Sequence, residues 1–351
     1  MAILKHLSAA LAALLLPILS SACEEHSFER RQSSTTFPPN RNHTVTADEN
    51  VAHYFHDAYA AAGPIHFALY NMICPRVENA NAGKIAAPAY VRNESITKAA
   101  PKKVFDDLFF LGEYTAWESS PSAWGVDTGE GIVLIDTLNS DSVGLIETGL
   151  TKLGKDPKDI KYIVVGHAHA DHYGGARYLQ DKYHSHIMMS ELDYNFMYSN
   201  SNPESTKPKK DITITDGQIF TLGNTAFHFY ITPGHTPGTV STLFNVHDGS
   251  KEHWVAQWGG TGFGFNGATG QDQIDWFLTY ADSAERFKGL IQERGADVLI
   301  ANHPILDNSI EKNTALGSTA VNPWIVGNDV VANYTEVARS CALAGAAAFR
   351  K

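Results

Sequence analysis

The stretch Val164-Val165-Gly166-His167-Ala168-His169-Ala170-Asp171-His172-Tyr173-Gly174-Gly175 places three histidines and an aspartate within six residues. Imidazole nitrogen and carboxylate oxygen are ligand types that zinc favours. A single histidine is ordinarily a surface or core residue, and among 16 histidines some clustering arises by chance. Four ligand-type residues at His-x-His-x-Asp-His spacing, set between an apolar run and a Gly-Gly pair, instead form a metal-site pattern. Tyr162 to Val165 reads as a buried strand that would deliver all four side chains to its end. The glycine pair would allow a tight turn or close backbone packing where a helix begins.

Two further segments set a histidine at a strand end. Tyr230-Ile231-Thr232-Pro233-Gly234-His235-Thr236-Pro237-Gly238 holds His235 in a loop stiffened by prolines and tightened by glycines, and Ala301-Asn302-His303-Pro304 follows another apolar strand. Each is weak evidence alone. Together the candidates are His167, His169, Asp171, His172, His235 and His303. A catalytic zinc takes three protein ligands and keeps a position open. Six ligands therefore suit two open sites, and a metal pair about 3.5 to 4 Å apart can activate water, polarise a carbonyl and stabilise a leaving group.

The elements that must position these residues follow from periodicity. Leu108 to Leu111, Ser122 to Val126 and Gly131 to Asp136 read as a meander of apolar strands, followed by a helix over 140–153 and the strand before the cluster. A second half repeats this order, with strands at 212–215, 218–220, 226–231 and 240–246, a helix over 275–292 and a strand at 298–301. Two such halves suggest two packed sheets with helices outside. Upstream, 47–62 has the spacing of a helix stopped by Gly63-Pro64, within an N-terminal helical or loop extension over 47–103. Residues 23–46, rich in Ser, Thr and Pro, read as a flexible tail.

The N-terminus carries an address. Lys5 and His6 precede an apolar run from Leu7 to Leu19, and Ser20-Ser21-Ala22 offers small residues for cleavage, so 1–22 reads as a secretory signal peptide. The run is about 13 residues, short of the roughly 20 a bilayer helix needs, so no stable membrane insertion is expected after cleavage. Cys23 after Ala22 would suit a lipoprotein, but Ser20 stands where the bacterial lipobox prefers Leu. Secretion, or export to the periplasm in a bacterium, is the expectation. The chain has 27 Lys and Arg against 38 Asp and Glu, a net charge of −11, and no basic block. A nucleic-acid partner is thereby disfavoured; the expected partner, a small-molecule substrate, follows instead from the metal-site chemistry above. Cys23, Cys74 and Cys341 allow one bridge, with Cys74 to Cys341 as a candidate pair, and none has the histidine-rich context of a nucleophile. The sequons at Asn42, Asn93 and Asn333 would make a eukaryotic chain a glycoprotein.

On these motifs the chain resembles the metallo-β-lactamase superfamily over about 104–348, which implies a four-layer αββα sandwich of the α/β class. The resemblance implies that His167, His169 and His235 hold a first zinc and Asp171, His172 and His303 a second. Asp136 is similar to the family's aspartate that orients a ligand histidine. Several branches carry a bridging aspartate on the strand that here reads His253-Trp254-Val255-Ala256-Gln257-Trp258-Gly259-Gly260; neither that Asp nor the Cys of the commonest β-lactamase subclass is present. An Asp-His-His second site with Asn322-Pro323-Trp324 downstream is similar to the third subclass. Flavodiiron relatives exchange a cluster histidine for glutamate and often add a flavin domain, and this chain has neither. The expectation is a hydrolase with two Zn2+ in which activated water attacks a cyclic amide or related carbonyl and Asp171 both ligates and orients. Hydrolysis of a lactone, thioester or other ester or amide of secondary metabolism is the enzymatic alternative, and a non-catalytic zinc-binding protein on the same fold the other.

Overall fold

The computed structural model describes residues 28–30, 51–81, 100–112, 120–263 and 268–349. Among them the strands in chain order are β1 (Phe28–Arg30), β2 (Lys102–Lys103), β3 (Leu108–Phe110), β4 (Trp124–Asp127), β5 (Ile132–Ile135), β6 (Ile160–Val164), β7 (His186–Ser190), β8 (Ile212–Ile214), β9 (Gln218–Leu222), β10 (Thr225–Ile231), β11 (Val240–Asp248), β12 (Lys251–Trp258) and β13 (Val298–Ala301). The helices are α1 (Val51–Ala62), α2 (Phe67–Asn81), α3 (Gly144–Lys152), α4 (Ala170–Tyr173), α5 (Ala176–Tyr183), α6 (Glu191–Ser199), α7 (Gly270–Arg294), α8 (Ser309–Ala315) and α9 (Asn328–Ala348). One sheet runs β2 to β8 in sequence order; the other runs β1-β9-β10-β11-β12-β13.

Successive strand side chains leave opposite faces, and here the two faces feed different cores. Val133 and Ile135 of β5 and Tyr162 and Val164 of β6 meet Phe227, Phe229 and Ile231 of β10 and Val255 of β12 between the sheets. Their neighbours Ile132, Leu134 and Ile163 face outward against Ile146, Leu150 and Leu179 of α3 and α5. On the far side Tyr230, Ala256 and Trp258 pack against α7 and α9. Helix, sheet, sheet and helix thus form four layers, the αββα sandwich. Full burial of one large apolar side chain contributes about 1.5 to 3 kcal/mol, so strands buried on both faces are strongly fixed in register. Cys74 and Cys341 form a disulfide that ties α2 to α9 inside the outermost core.

The architecture brings strand ends to one rim. β5, β6 and β7 are parallel, with Ile135 opposite Val164, and β12 and β13 are parallel, with Trp258 opposite Ala301. The sheets are stitched there by Val240 N–H donating to Gly166 O at 2.8 Å and Ser122 N–H donating to Asn302 O at 2.8 Å.

Several details differ from the sequence-based expectation. Ile212–Ile214 was expected to open the second half, but β8 pairs parallel with β7 and closes the first sheet. The run carries no mark of its sheet, because both sheets bury apolar strands alike. α2, β7 and α6 have no counterpart in that expectation. Within the stretch read as a tail, Phe28–Arg30 pairs antiparallel with β9, an edge position that needs only backbone hydrogen bonds. Asn333 sits half-buried inside α9, and the buried Thr335 hydroxyl donates to Ala332 O at 2.8 Å, a setting opposed to a glycan. The signal peptide, Asn42 and Asn93 lie outside the described residues. Among the described residues no helix is long and apolar enough to cross a membrane.

Candidate metal centre

Five segments end at the common rim: Asp136 after β5, His167 to His172 after β6, His235 after β10, Gly259 to Gly262 after β12, and His303 after β13. The structure brings all six sequence-predicted ligands together there. His167, His169 and His235 form one group, and Asp171, His172 and His303 a second, with the ligand atoms of each group within 4.8 Å of one another. Gly166 must be small at this crowding, because a Cβ would stand 3.1 Å from Gly259 O and 3.4 Å from an Asp136 carboxylate oxygen. The pair after the cluster is equally constrained: a Cβ at Gly174 would meet Ala170 O at 2.5 Å, and one at Gly175 would meet Thr137 O at 2.5 Å.

The far sides of the rings fix their tautomers. His167 Nδ1 lies 2.7 Å from Gly259 O, His235 Nδ1 3.0 Å from Gly262 O, and His303 Nδ1 2.9 Å from Ser120 O. A carbonyl oxygen can only accept, so each Nδ1 carries the proton and donates it. The Nε2 atoms are then bare in the neutral rings. Those of His167 and His235 face each other at 3.2 Å, two lone pairs that repel unless a cation stands between or beside them. His172 Nδ1 donates to Asp136 Oδ2 at 2.9 Å, while its buried Nε2 makes no hydrogen bond and lies 3.4 Å from Asp171 Oδ2. An orphaned buried imidazole nitrogen beside a carboxylate is the donor set a zinc ion fits.

Asp136 is the hinge of this arrangement. Its φ of 59° is left-handed, a region asparagine and aspartate tolerate better than most residues. That turn lets one carboxylate accept both the His172 Nδ1–H and the Gly166 N–H, the latter at 2.8 Å. The turn thus joins the end of β5 to the ligand segment after β6.

Electrostatics set His172 apart from the other four ligand histidines. Burial, then the neighbouring histidines, hold His167 well below its ordinary pKa; burial, then His169, takes His235 down to about 3; burial, then His172, takes His303 down to about 4. His169 is lowered by burial as well. These rings are neutral and ready to ligate at pH 7. His172 is opposite: burial acts to lower it, but Asp171 and Asp136 outweigh burial and raise it. Asp171 is depressed, since the His172 charge overcomes its burial.

Two features were missed by reading the sequence. Gly259 and Gly262, on the loop after β12 where a bridging carboxylate was found lacking, supply the carbonyls that orient His167 and His235. Tyr280 secures this loop by accepting from Trp258 Nε1–H at 3.0 Å and donating to Gly260 O at 3.2 Å. The second feature is Asp193, buried near the start of α6. It accepts from Ala168 N–H, Thr236 Oγ1–H and Gly238 N–H.

Comparison with known proteins agrees with this geometry. Residues 117–248 match the family model described as Metallo-beta-lactamase superfamily. The probable polyketide biosynthesis zinc-dependent hydrolase BaeB of Bacillus velezensis is 33% identical over 96 residues, 27% of this chain and 40% of that protein. The uncharacterized protein YobT of Bacillus subtilis is 30% identical over 123 residues, 32% of this chain and 52% of that protein. The chain thus spans about half the length of the curated relatives it matches. Among solved structures, BJP-1, a subclass B3 metallo-beta-lactamase of Bradyrhizobium japonicum, superposes with a TM-score of 0.59 at 24% identity, covering 70% of this chain and 93% of that one. Native FEZ-1 of Legionella gormanii gives 0.58 at 21%, covering 69% and 93%. At these identities the structural likeness is one of fold.

Proposed function

We propose that this chain, which matches the metallo-β-lactamase superfamily model over residues 117–248, is a metal-dependent hydrolase holding two zinc ions, one on His167, His169 and His235 and one on Asp171, His172 and His303. Its substrate class is a small molecule with a cyclic amide or related activated carbonyl. The observation that carries the reading is the convergence of two triads in which His167, His172, His235 and His303 each commit Nδ1 to an oxygen acceptor, which leaves Nε2 as the atom able to ligate at a shared centre.

Bound zinc supplies Lewis acidity, which polarises a carbonyl and brings the pKa of water down from about 15.7 to about 7. The chain's residues do the rest. Asp171, with 30% of its side chain exposed, is the one ligand able to accept a hydrogen bond from a nucleophilic water with its free oxygen and so aim it. The neutral rings of His167, His235 and His303 would hold zinc without releasing a proton, whereas His172, raised by Asp171 and Asp136, would release one. Asp136 and the Gly259 and Gly262 carbonyls keep the rings from turning, which preserves the spacing a reacting carbonyl must span.

Lactones, thioesters and other esters or amides of secondary metabolism form a second reading, which the partial identity to a probable polyketide biosynthesis zinc-dependent hydrolase supports only as far as zinc-dependent hydrolysis. Purified protein assayed with nitrocefin, acyl lactones and thioesters at matched zinc separates these classes. Zinc-loaded protein that cleaves none of them, or iron-loaded protein that reduces oxygen, would contradict the hydrolase reading. Export belongs to the same proposal, and N-terminal sequencing of the mature chain is expected to start near Cys23.

A further inference from the structure

We propose that Asp193 is a positioning residue that clamps the two ligand loops of the His167, His169 and His235 triad, setting their separation without touching a ligand itself. This rests on the two-metal reading above. The triad draws on two distant parts of the chain: His167 and His169 flank Ala168 after β6, and His235 precedes Thr236 after β10. Asp193 Oδ2 accepts from both sides, from Ala168 N–H at 2.9 Å and from Thr236 Oγ1–H at 2.7 Å. Its Oδ1 accepts from Gly238 N–H at 2.7 Å. One fully buried carboxylate therefore spans the gap that the triad must hold constant.

The clamp is itself braced. Ser190 Oγ accepts from Asp193 N–H at 3.2 Å, capping α6, and donates to Gly238 O at 2.6 Å. Gly238 admits no side chain, because a Cβ would lie 2.1 Å from Ser190 Oγ and 2.7 Å from Asp193 N. All three donors aimed at the carboxylate are N–H or O–H groups fixed by loop geometry. An amide in its place must turn its NH2 toward one of them, so Asp193→Asn breaks at least one strut while conserving shape. The second triad has other supports, Asp136 for His172 and Ser120 O for His303, and none of its members is bonded to Asp193.

The consequence is asymmetric, which a general loss of stability would not produce. The test is a zinc titration against a chromophoric chelator in two single-site backgrounds: His303→Ala, which leaves the first triad whole, and His235→Ala, which leaves the second. Asp193→Asn is expected to weaken zinc binding about 10- to 100-fold in the first background and less than about 3-fold in the second. Thr236→Val, which deletes one strut and keeps volume, should move affinity the same way by a smaller factor. Thermal unfolding of the metal-free variants checks that they fold. Equal losses in both backgrounds, or none in either, overturn the clamp. A wild-type chain that takes up no zinc overturns both the clamp and the metal reading, and is distinguished by that control alone.

Discussion

Replacing Asp136 with asparagine isolates one proton. Asparagine tolerates the left-handed φ of 59° and keeps a carbonyl oxygen for the Gly166 N–H, so the turn after β5 survives. What changes is the second oxygen, now an NH2 facing the His172 Nδ1–H at the 2.9 Å position. Donor cannot face donor, so either the bond is lost or His172 shifts its proton to Nε2, the atom the second metal needs. Losing a charge-assisted bond at this buried site costs about 1.5 to 3 kcal/mol of stability. The tautomer change, an effect on an outer-shell partner of a ligand, should weaken the second metal about 10- to 100-fold, or roughly 1.4 to 2.7 kcal/mol. Zinc competition titration of Asp136→Asn would show one site near wild type and one weakened. Two unchanged sites, or two equally weakened ones, would refute the tautomer assignment on which the centre is built.

Other consequences can be checked separately. Asp171→Ala should abolish turnover while circular dichroism and the melting transition stay close to wild type, and an active variant would remove its assigned role. Gly259→Ala would push a Cβ to 1.9 Å from Val240 O, a backbone atom tied into the rim; thermal unfolding should show a loss of about 1 to 3 kcal/mol or more, and an unchanged Tm would contradict the packing. Burial raises the Asp307 carboxyl to about 6 in the folded chain. An acid whose folded pKa is raised contributes stability that is full below its unfolded value near 3.9 and lost as pH rises through about 6, a difference of about 3 kcal/mol. Metal-free wild type and Asp307→Asn should therefore diverge in stability between pH 4 and 7, and parallel curves would contradict that origin.

The legibility of this molecule in its sequence followed the range of each interaction. Ligands His167 to His172 were visible because four donors within one turn of chain can be recognised without knowing any partner. His235 and His303 were visible through strand-end context, and the sandwich through two runs of apolar strands. Asp193 was not visible, since locally Ser190 to Asp193 is an ordinary helix start and its partners at Ala168, Thr236 and Gly238 meet it only in the fold. The Gly259 and Gly262 carbonyls were hidden for a different reason: a backbone acceptor leaves no trace in residue type. β8 was placed in the wrong half because register between sheets is decided by what lies across, not by Ile212-Thr213-Ile214 itself.

The central claim, that six side chains form two zinc sites on one rim of the sandwich, is tested most directly by anomalous diffraction at the zinc edge from crystals of the protein as purified. Two peaks are predicted, one among His167, His169 and His235 and one among Asp171, His172 and His303. No peak at either triad, or a signal that appears only at the iron edge, would contradict it.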